Sequence, residues 1–358
     1  MNICILGAGG LGSVIGGRLA QVGVDVVLVG RPAHVAAIRD HGLRITGLRG
    51  DTVVTSGIRA VTDAEDAAGE FDYTILMVKA KDTQITLAGA AGLGARTAVA
   101  LSLQNTVVKE DQLREWVGPD RVIGASTTEA GVLVEPGVVR HVATAPTACY
   151  FGELNGGSSH RVEALVATMN EAGIGSKAAD DITHVEWEKL LQISIVSGWS
   201  ASVFGALGGS MAEGLVVREA AEHYVQLATE LFAVYRAKGF EPQDFFAPFA
   251  QFRRFGSTTF AEQVDDVMEL GAHMRAQGFV GRPSMHDDLL RGHETEVDSS
   301  IGTFLDEAAR QGTSVPTVRA VYRIIKSLEF WLQRTGGVDV HPLPSPTAAA
   351  AADPIATP

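Results

Sequence analysis

Short apolar runs recur through the first half of the chain at residues 3–6, 24–29, 73–78, 97–103 and 122–125, each rich in Val, Ile, Leu or Ala and each followed by a turn. Between them lie segments with helical spacing at 13–21, 33–41, 83–91 and 110–117. Apolar runs of this length mark strands buried on both faces, and their alternation with helices predicts a parallel, doubly wound sheet. Residues 132–142 and 144–152 differ: they read as strands joined through Pro136-Gly137, an antiparallel extension covering one side of the domain. From Asp181 the period changes. Long amphipathic stretches at 183–207, 211–238, 259–277, 299–311 and 317–334 predict a helical second half. The expected organisation is α/β, with an N-terminal Rossmann-type doubly wound domain over 1–178 and a C-terminal all-α domain over 179–335. An Ala/Pro-rich, low-complexity tail over 336–358 is expected to be disordered.

Charge narrows the choice of partner. Asp and Glu number 42 against 29 Lys and Arg, a net charge of −13 with no basic run to offset it, which argues against a nucleic-acid groove. The two cysteines, Cys4 and Cys149, lie in apolar strands and read as inert core residues of a reducing compartment. No charged leader precedes the first apolar run, and no apolar stretch is long enough to span a bilayer, so a cytoplasmic protein without a membrane partner is expected. No His or Cys cluster has ligand spacing, so no metal is expected.

Candidate chemistry begins at the first turn. Gly7-Ala8-Gly9-Gly10-Leu11-Gly12 follows the first strand and opens the first helix. In such a GxGxxG turn, Gly7 permits the tight bend, Gly9 lets backbone amides approach a pyrophosphate, and Gly12 lets helix and strand pack closely. The helix N-terminus then favours an anion. The second strand ends in Gly30-Arg31-Pro32 rather than in the carboxylate that would grip a ribose 2′-hydroxyl, and an arginine there favours a 2′-phosphate. The expected cofactor is NADPH. A dinucleotide domain of this kind needs an acid from elsewhere to protonate a developing alkoxide, and Lys189 in Val185-Glu186-Trp187-Glu188-Lys189-Leu190 is the best candidate. Taken by spacing alone, Lys189 reads first as a solvated helix lysine.

The order of several further motifs decides the matter. After the glycine turn and Arg31 come Val78-Lys79-Ala80, Gln104-Asn105, Gly124-Ala125-Ser126-Thr127-Thr128, Gly137 with His141, Trp187-x-Lys189-Leu190, Ser284-Met285-x-x-Asp288 and Glu296. In this series the chain resembles the ketopantoate reductase (2-dehydropantoate 2-reductase) family over most of residues 1–330. The resemblance implies NADPH-dependent reduction of a 2-keto acid, most directly of 2-dehydropantoate to pantoate in pantothenate biosynthesis. It implies that Gly7, Gly9, Gly10, Leu11, Gly12, Arg31 and Lys79 hold the cofactor, with Asn105 where cofactor and substrate meet. It further implies Lys189 as general acid, Glu296 as the partner of a substrate hydroxyl or of the lysine, and Ser284 as a ligand of the substrate carboxylate. Read without the resemblance, Glu296 is a surface carboxylate of an acidic helix and Ser284 the N-cap of that helix.

The pattern also departs from the family. Where relatives carry asparagines one and two helical turns beyond the lysine, this chain has Ile193 and Ser197, and Thr106 replaces the glycine usual after Asn105. An isoleucine offers no donor to a polar substrate group, which favours a bulkier or more apolar carbonyl or imine, as in an opine-type or specialised reductase. Phe245, Phe246, Phe249, Phe252 and Phe255, at roughly helical spacing in a segment longer than in relatives, point the same way unless they are core or a dimer contact. A non-catalytic NADP(H) sensor is the remaining alternative, though it would need neither Lys189 nor Glu296. The expected small-molecule partner is a keto acid. A homodimer fits an exposed apolar helix in the second domain.

Overall fold

A computed structural model describes residues 1–247, 252–255 and 257–338. Phe249 and all of the expected tail beyond residue 338 lie outside the described residues. The chain divides into two compact units, one of Met1–Leu190 rejoined by the segment from Phe245, the other of Leu191–Asp244 and the described residues from 252 on.

The first unit is built on a five-stranded sheet. Strands β1 (Asn2–Leu6), β2 (Asp25–Val29), β5 (Ile58–Val61), β6 (Phe71–Leu76) and β7 (Thr97–Ser102) take the order β5-β2-β1-β6-β7. Every pairing is parallel. Alternate residues feed two separate cores: Ile3, Ile5, Val26, Leu28 and Ile75 pack on one face, Cys4, Leu6, Val27, Val29 and Leu76 on the other. That two-sided burial is why these strands read as unbroken apolar runs. Helices α1 (Gly10–Gln21), α2 (Pro32–His41), α3 (Thr83–Ala88), α4 (Ala91–Ala95) and α5 (Lys109–Val117) connect them.

Two smaller sheets extend this unit. One, in the order β4-β3-β10-β9, joins β3 (Leu43–Gly47) and β4 (Thr52–Val54) to a hairpin of β9 (Ala130–Glu135) and β10 (Val138–Ala143) that turns at Pro136-Gly137; the expected strand over 132–142 is thus two strands, and the one expected over 144–152 belongs to a different sheet. It lies against α1, so close that a Cβ on Gly10 would sit 2.3 Å from the carbonyl oxygen of Gly131. The other sheet holds β8 (Ile123–Thr127), β11 (Cys149–Glu153) and β12 (Ser176–Ala178), backed by α6 (His160–Glu171). Cys4 and Cys149 are buried, and burial pushes both thiols up to about 12, as inert core residues require.

The second unit is helical. It contains the later turns of α7 (Ile182–Phe204), then α8 (Met211–Gly214), α9 (Arg218–Ala237), α10 (Phe252–Phe255), α11 (Phe260–Ala276), α12 (Ser284–Leu290), α13 (Thr303–Gln311) and α14 (Pro316–Thr335). The single helix expected over 211–238 is instead α8 and α9, separated by a turn before Arg218. Local caps fix several ends: Thr259 and Glu262 form a capping box on α11, and Glu230 Oε2 accepts from the backbone N–H groups of Thr317 and Val318 at the start of α14. The division between the units falls within α7.

Candidate active site

The carboxyl ends of the parallel strands gather residues far apart in sequence. Gly7 follows β1, Arg31 follows β2, Lys79 follows β6 and Asn105 follows β7, which places all four at one edge of the sheet. Ligands of open α/β sheets bind at that edge.

The glycines of the first turn separate into two kinds. Gly7 has φ +120° and its Cβ position lies 2.6 Å from the backbone nitrogen of Val78, and a Cβ on Gly12 would lie 2.3 Å from the carbonyl oxygen of Gly7. These two are demanded by the protein's own packing, as is Gly10 against Gly131. Gly9 is different, because a Cβ there would meet no protein atom within 4 Å. It is exposed, precedes the first turn of α1, and that turn carries no acidic side chain. The amides of Gly10, Leu11 and Gly12 begin the helix without intrahelical acceptors, which suits a phosphate. Leu11 packs its side chain on the core and contributes its backbone only. Arg31 is exposed at the N-cap of α2, just ahead of Pro32 at the first helical position. An open glycine, free helix amides and an exposed arginine after β2 together fit a dinucleotide with a 2′-phosphate.

The loops after β6 and β7 are braced by a residue whose role the motif order alone did not reveal. Gln104 donates through Nε2 to the Val78 carbonyl and the Thr83 hydroxyl, both at 2.8 Å, and accepts from Ser102 Oγ at 3.0 Å. It thus ties the Lys79 loop to the turn that presents half-buried Asn105. Lys79 is exposed at the start of a short 3-10 turn, Ala80–Asp82. His34 performs a similar bracing task below the first turn. The backbone N–H of Gly137 donates to its Nδ1 at 2.9 Å, so Nε2 carries the proton and donates to Ser13 Oγ at 2.9 Å. His141 is buried beside Glu129.

Lys189 stands on α7 with its Nζ 5.3 Å from the ring centre of Phe246. Desolvation draws its pKa down from the ordinary lysine value to about 8. Phe246 is 1% exposed and is locked in place by its neighbour. The Phe245 N–H donates to Glu188 Oε1 and the Phe245 carbonyl accepts from the Tyr150 hydroxyl, both at 2.8 Å. The ring of Tyr150 meets both phenylalanines edge-on. The phenylalanine segment is therefore not one helical stripe. Phe245 and Phe246 pack in the first unit, whereas Phe252 and Phe255 pack on Phe232 of α9 in the second, at 5.2 and 5.3 Å between ring centres.

Ile193 and Ser197 follow Lys189 at intervals of one helical turn, Ile193 half-buried and Ser197 buried. In the second unit Ser284 is exposed and begins α12, but the N-cap is Pro283, so the capping role expected from sequence does not apply. Glu296 is not on an acidic helix either. It is half-buried in the turn before a single π-helical turn, Asp298–Gly302, and its carbonyl accepts from the Ser300 N–H and hydroxyl. The turn is rigidly held: the N–H and hydroxyl of Thr295 donate to buried Glu329 of α14, and Tyr322 and Lys326 bind Asp298. A π-turn held this way is a common way of presenting a functional side chain. Asp288, buried on α12, lies 3.6 Å from His293 and is given no chemical role.

The model of the ketopantoate reductase PanE/ApbA family matches residues 3–156, and that of the same family's C-terminal part matches residues 181–329. The chain is 29% identical to the 2-dehydropantoate 2-reductase of Pyrococcus horikoshii over 329 residues, covering 92% of this chain and 98% of that protein. Among solved structures it is similar to a PanE/ApbA family ketopantoate reductase from Ralstonia eutropha, with TM-score 0.76, 26% identity, and coverage of 93% of this chain and 100% of that one. A D-mandelate dehydrogenase solved with NADH and anilino(oxo)acetate shares the fold at TM-score 0.73 and 21% identity, over 93% of this chain and 100% of that one.

Proposed function

This chain belongs to the ketopantoate reductase family, and on that premise we propose that it reduces a small 2-keto acid to the 2-hydroxy acid with NADPH, 2-dehydropantoate being the first substrate to test. The observation that carries the proposal is Lys189, whose ammonium is brought to about pKa 8 by desolvation on the helix that the family's catalytic motif occupies. A proton donor works best with a pKa near the working pH, where the acid form is populated and gives up its proton readily.

When bound, the reduced cofactor would supply hydride for the carbonyl carbon. Gly9 leaves space where a pyrophosphate would lie, the first amides of α1 would hold it, and Arg31 would pair with a 2′-phosphate, which favours NADPH over NADH. Lys79 would extend that contact. Asn105 would hydrogen-bond the carboxamide and substrate, and by the family's pattern Ser284 would take the substrate carboxylate and Glu296 a substrate hydroxyl. As negative charge builds on the carbonyl oxygen, the Lys189 ammonium first stabilises it and then transfers its proton there.

A second reading has a specific observation behind it. Ile193 is half-buried where relatives carry an amide, Phe246 lies beside Lys189, and a D-mandelate dehydrogenase shares the fold, all of which favour a larger, more apolar 2-keto acid. Oxidation of NADPH and NADH followed with 2-dehydropantoate and with phenylglyoxylate separates the two. A kcat/KM at least 100-fold higher for 2-dehydropantoate supports the first reading, the reverse preference supports the second, and tight NADPH binding without turnover of any keto acid would leave a sensor.

A further inference from the structure

Lys109 opens α5 and is 1% exposed. A lysine so deeply buried must be neutral or closely paired, and here the partners are explicit. Its Nζ donates to the Thr106 carbonyl at 2.9 Å and to Glu186 Oε1 at 3.0 Å, with Glu110 Oε1 at 3.2 Å. Glu186 Oε1 also accepts from the backbone N–H of Ala125 in β8 at 2.9 Å. Burial by itself would depress the lysine, but the two carboxyl groups more than reverse this and keep it charged. Burial, together with Glu110, raises the Glu186 carboxyl above the usual carboxylate range, and Lys109 opposes that rise.

These contacts join pieces of chain that bear on the chemistry. Thr106, whose carbonyl takes the lysine, directly follows Asn105. Glu186 lies on α7 one helical turn ahead of Lys189. An apolar pair of the same volume would stabilise these elements comparably. A cation that must reach a backbone carbonyl and a carboxylate at once also fixes their register.

We infer that the buried Lys109–Glu186 pair is a positioning device: it sets the Asn105 turn and the Lys189 segment of α7 in one alignment, so that amide and ammonium act on the same carbonyl. The inference rests on the reading of Lys189 as the proton donor. Neither Lys109 nor Glu186 touches substrate in this scheme, and their effect is exerted through Asn105 and Lys189.

Lys109→Met/Glu186→Gln is the informative variant, because it removes the cation that reaches both the Thr106 carbonyl and residue 186 together with the charge of one acid. Glu186→Gln alone is the control, because the amide oxygen can still accept from Ala125 and from Lys109. Each is compared with wild type by thermal melting, by NADPH fluorescence titration, and by kcat and KM with the preferred keto acid, using NADPH and NADPH deuterated at the transferred position. The expected result for the double variant is melting within a few degrees of wild type, NADPH affinity within about twofold, kcat lower by tenfold or more, and a larger deuterium effect on kcat, with Glu186→Gln closer to wild type. A folded double variant with kcat and isotope effect within twofold of wild type overturns the inference, and so does its failure to fold, which would make the pair part of the scaffold only. Lys189→Ala run alongside keeps the two readings apart. Full turnover there removes the proton donor and this inference with it, whereas an inactive Lys189→Ala beside a fully active double variant removes only the positioning role.

Discussion

Two lysines in the first unit occupy opposite electrostatic environments. Lys109, at the start of α5, is enclosed by a carbonyl and two acids and held above the ordinary lysine value, while Lys189, on α7, is desolvated beside an aromatic ring and drawn down to about 8. The first environment makes a permanent cation of the side chain and fixes it. The second leaves its charge close to balance at working pH, where a proton can be released. Burial acts in the same direction on both ammonium groups, and at Lys109 the two acids reverse it. A buried lysine is therefore read by its partners, and of these two only Lys189 suits proton transfer.

Removing each lysine sharpens the contrast. Lys109→Met deletes the one cation between Glu110 and Glu186, and breaking a buried pair this way costs about 3–5 kcal/mol. The pH dependence of that loss has a definite sign. A carboxyl whose folded pKa is raised contributes stability that is fully present below its ordinary unfolded value, about 4.5, and is lost as pH rises through the folded one. Without Lys109, which lowers it, the Glu186 carboxyl is pushed higher still, so the variant's deficit should be small at pH 4.5 and grow toward pH 8, as urea melts at both values would show. Equal deficits at the two pH values would mean that Glu186 is not raised in the folded protein.

Lys189→Ala should act on turnover instead, lowering kcat by about two orders of magnitude, or about 2.7 kcal/mol of transition-state stabilisation, while the NADPH Kd and melting temperature stay near wild type. Loss of cofactor binding in this variant would place Lys189 in the cofactor site and not at the reacting carbonyl.

The two lysines also differed in how far the chain alone revealed them. Lys189 stands out because its motif, Trp187-x-Lys189-Leu190, falls in an ordered series with the glycine turn, Arg31 and Gln104-Asn105. Lys109 does not: Lys109-Glu110-Asp111 looks like the solvated start of a helix, and its burial depends on Glu186, 77 residues away. The same rule holds for the fold. In the central sheet β1, β2, β6 and β7 are legible because two-sided burial makes them continuous apolar runs, whereas the edge strand β5, with exposed Arg59 in it, is not; the second-unit helices are legible because their stripes are long. β3 and β4 escape notice, since Arg44 and Val53 face solvent and each strand depends on neighbours for its register. α6 did carry a signal, with Val162, Leu165 and Met169 buried at helical spacing behind the Ser159 cap. The setting of Glu296 was not legible, because a π-turn has no periodicity of its own.

The smallest expected effect tests why Lys189 titrates where it does. At its ammonium the apolar surroundings disfavour charge and draw the value down, while the face of the Phe246 ring, 5.3 Å away, favours charge. Phe246→Leu keeps the site dry but removes the ring quadrupole, worth about 0.5–1 kcal/mol, so the lysine should titrate roughly 0.4–0.7 pH units lower. If, as proposed, the protonated amine is the active form in the reducing direction, the alkaline fall of kcat should then begin at lower pH than in wild type. Phe246→Ala opens room for water beside the ammonium, and its fall should begin at higher pH. Opposite displacements of the two profiles support the balance described here. Displacement of both in the same direction would show that the ring influences Lys189 only by filling space, and the contrast with Lys109 would then rest on burial and acids alone.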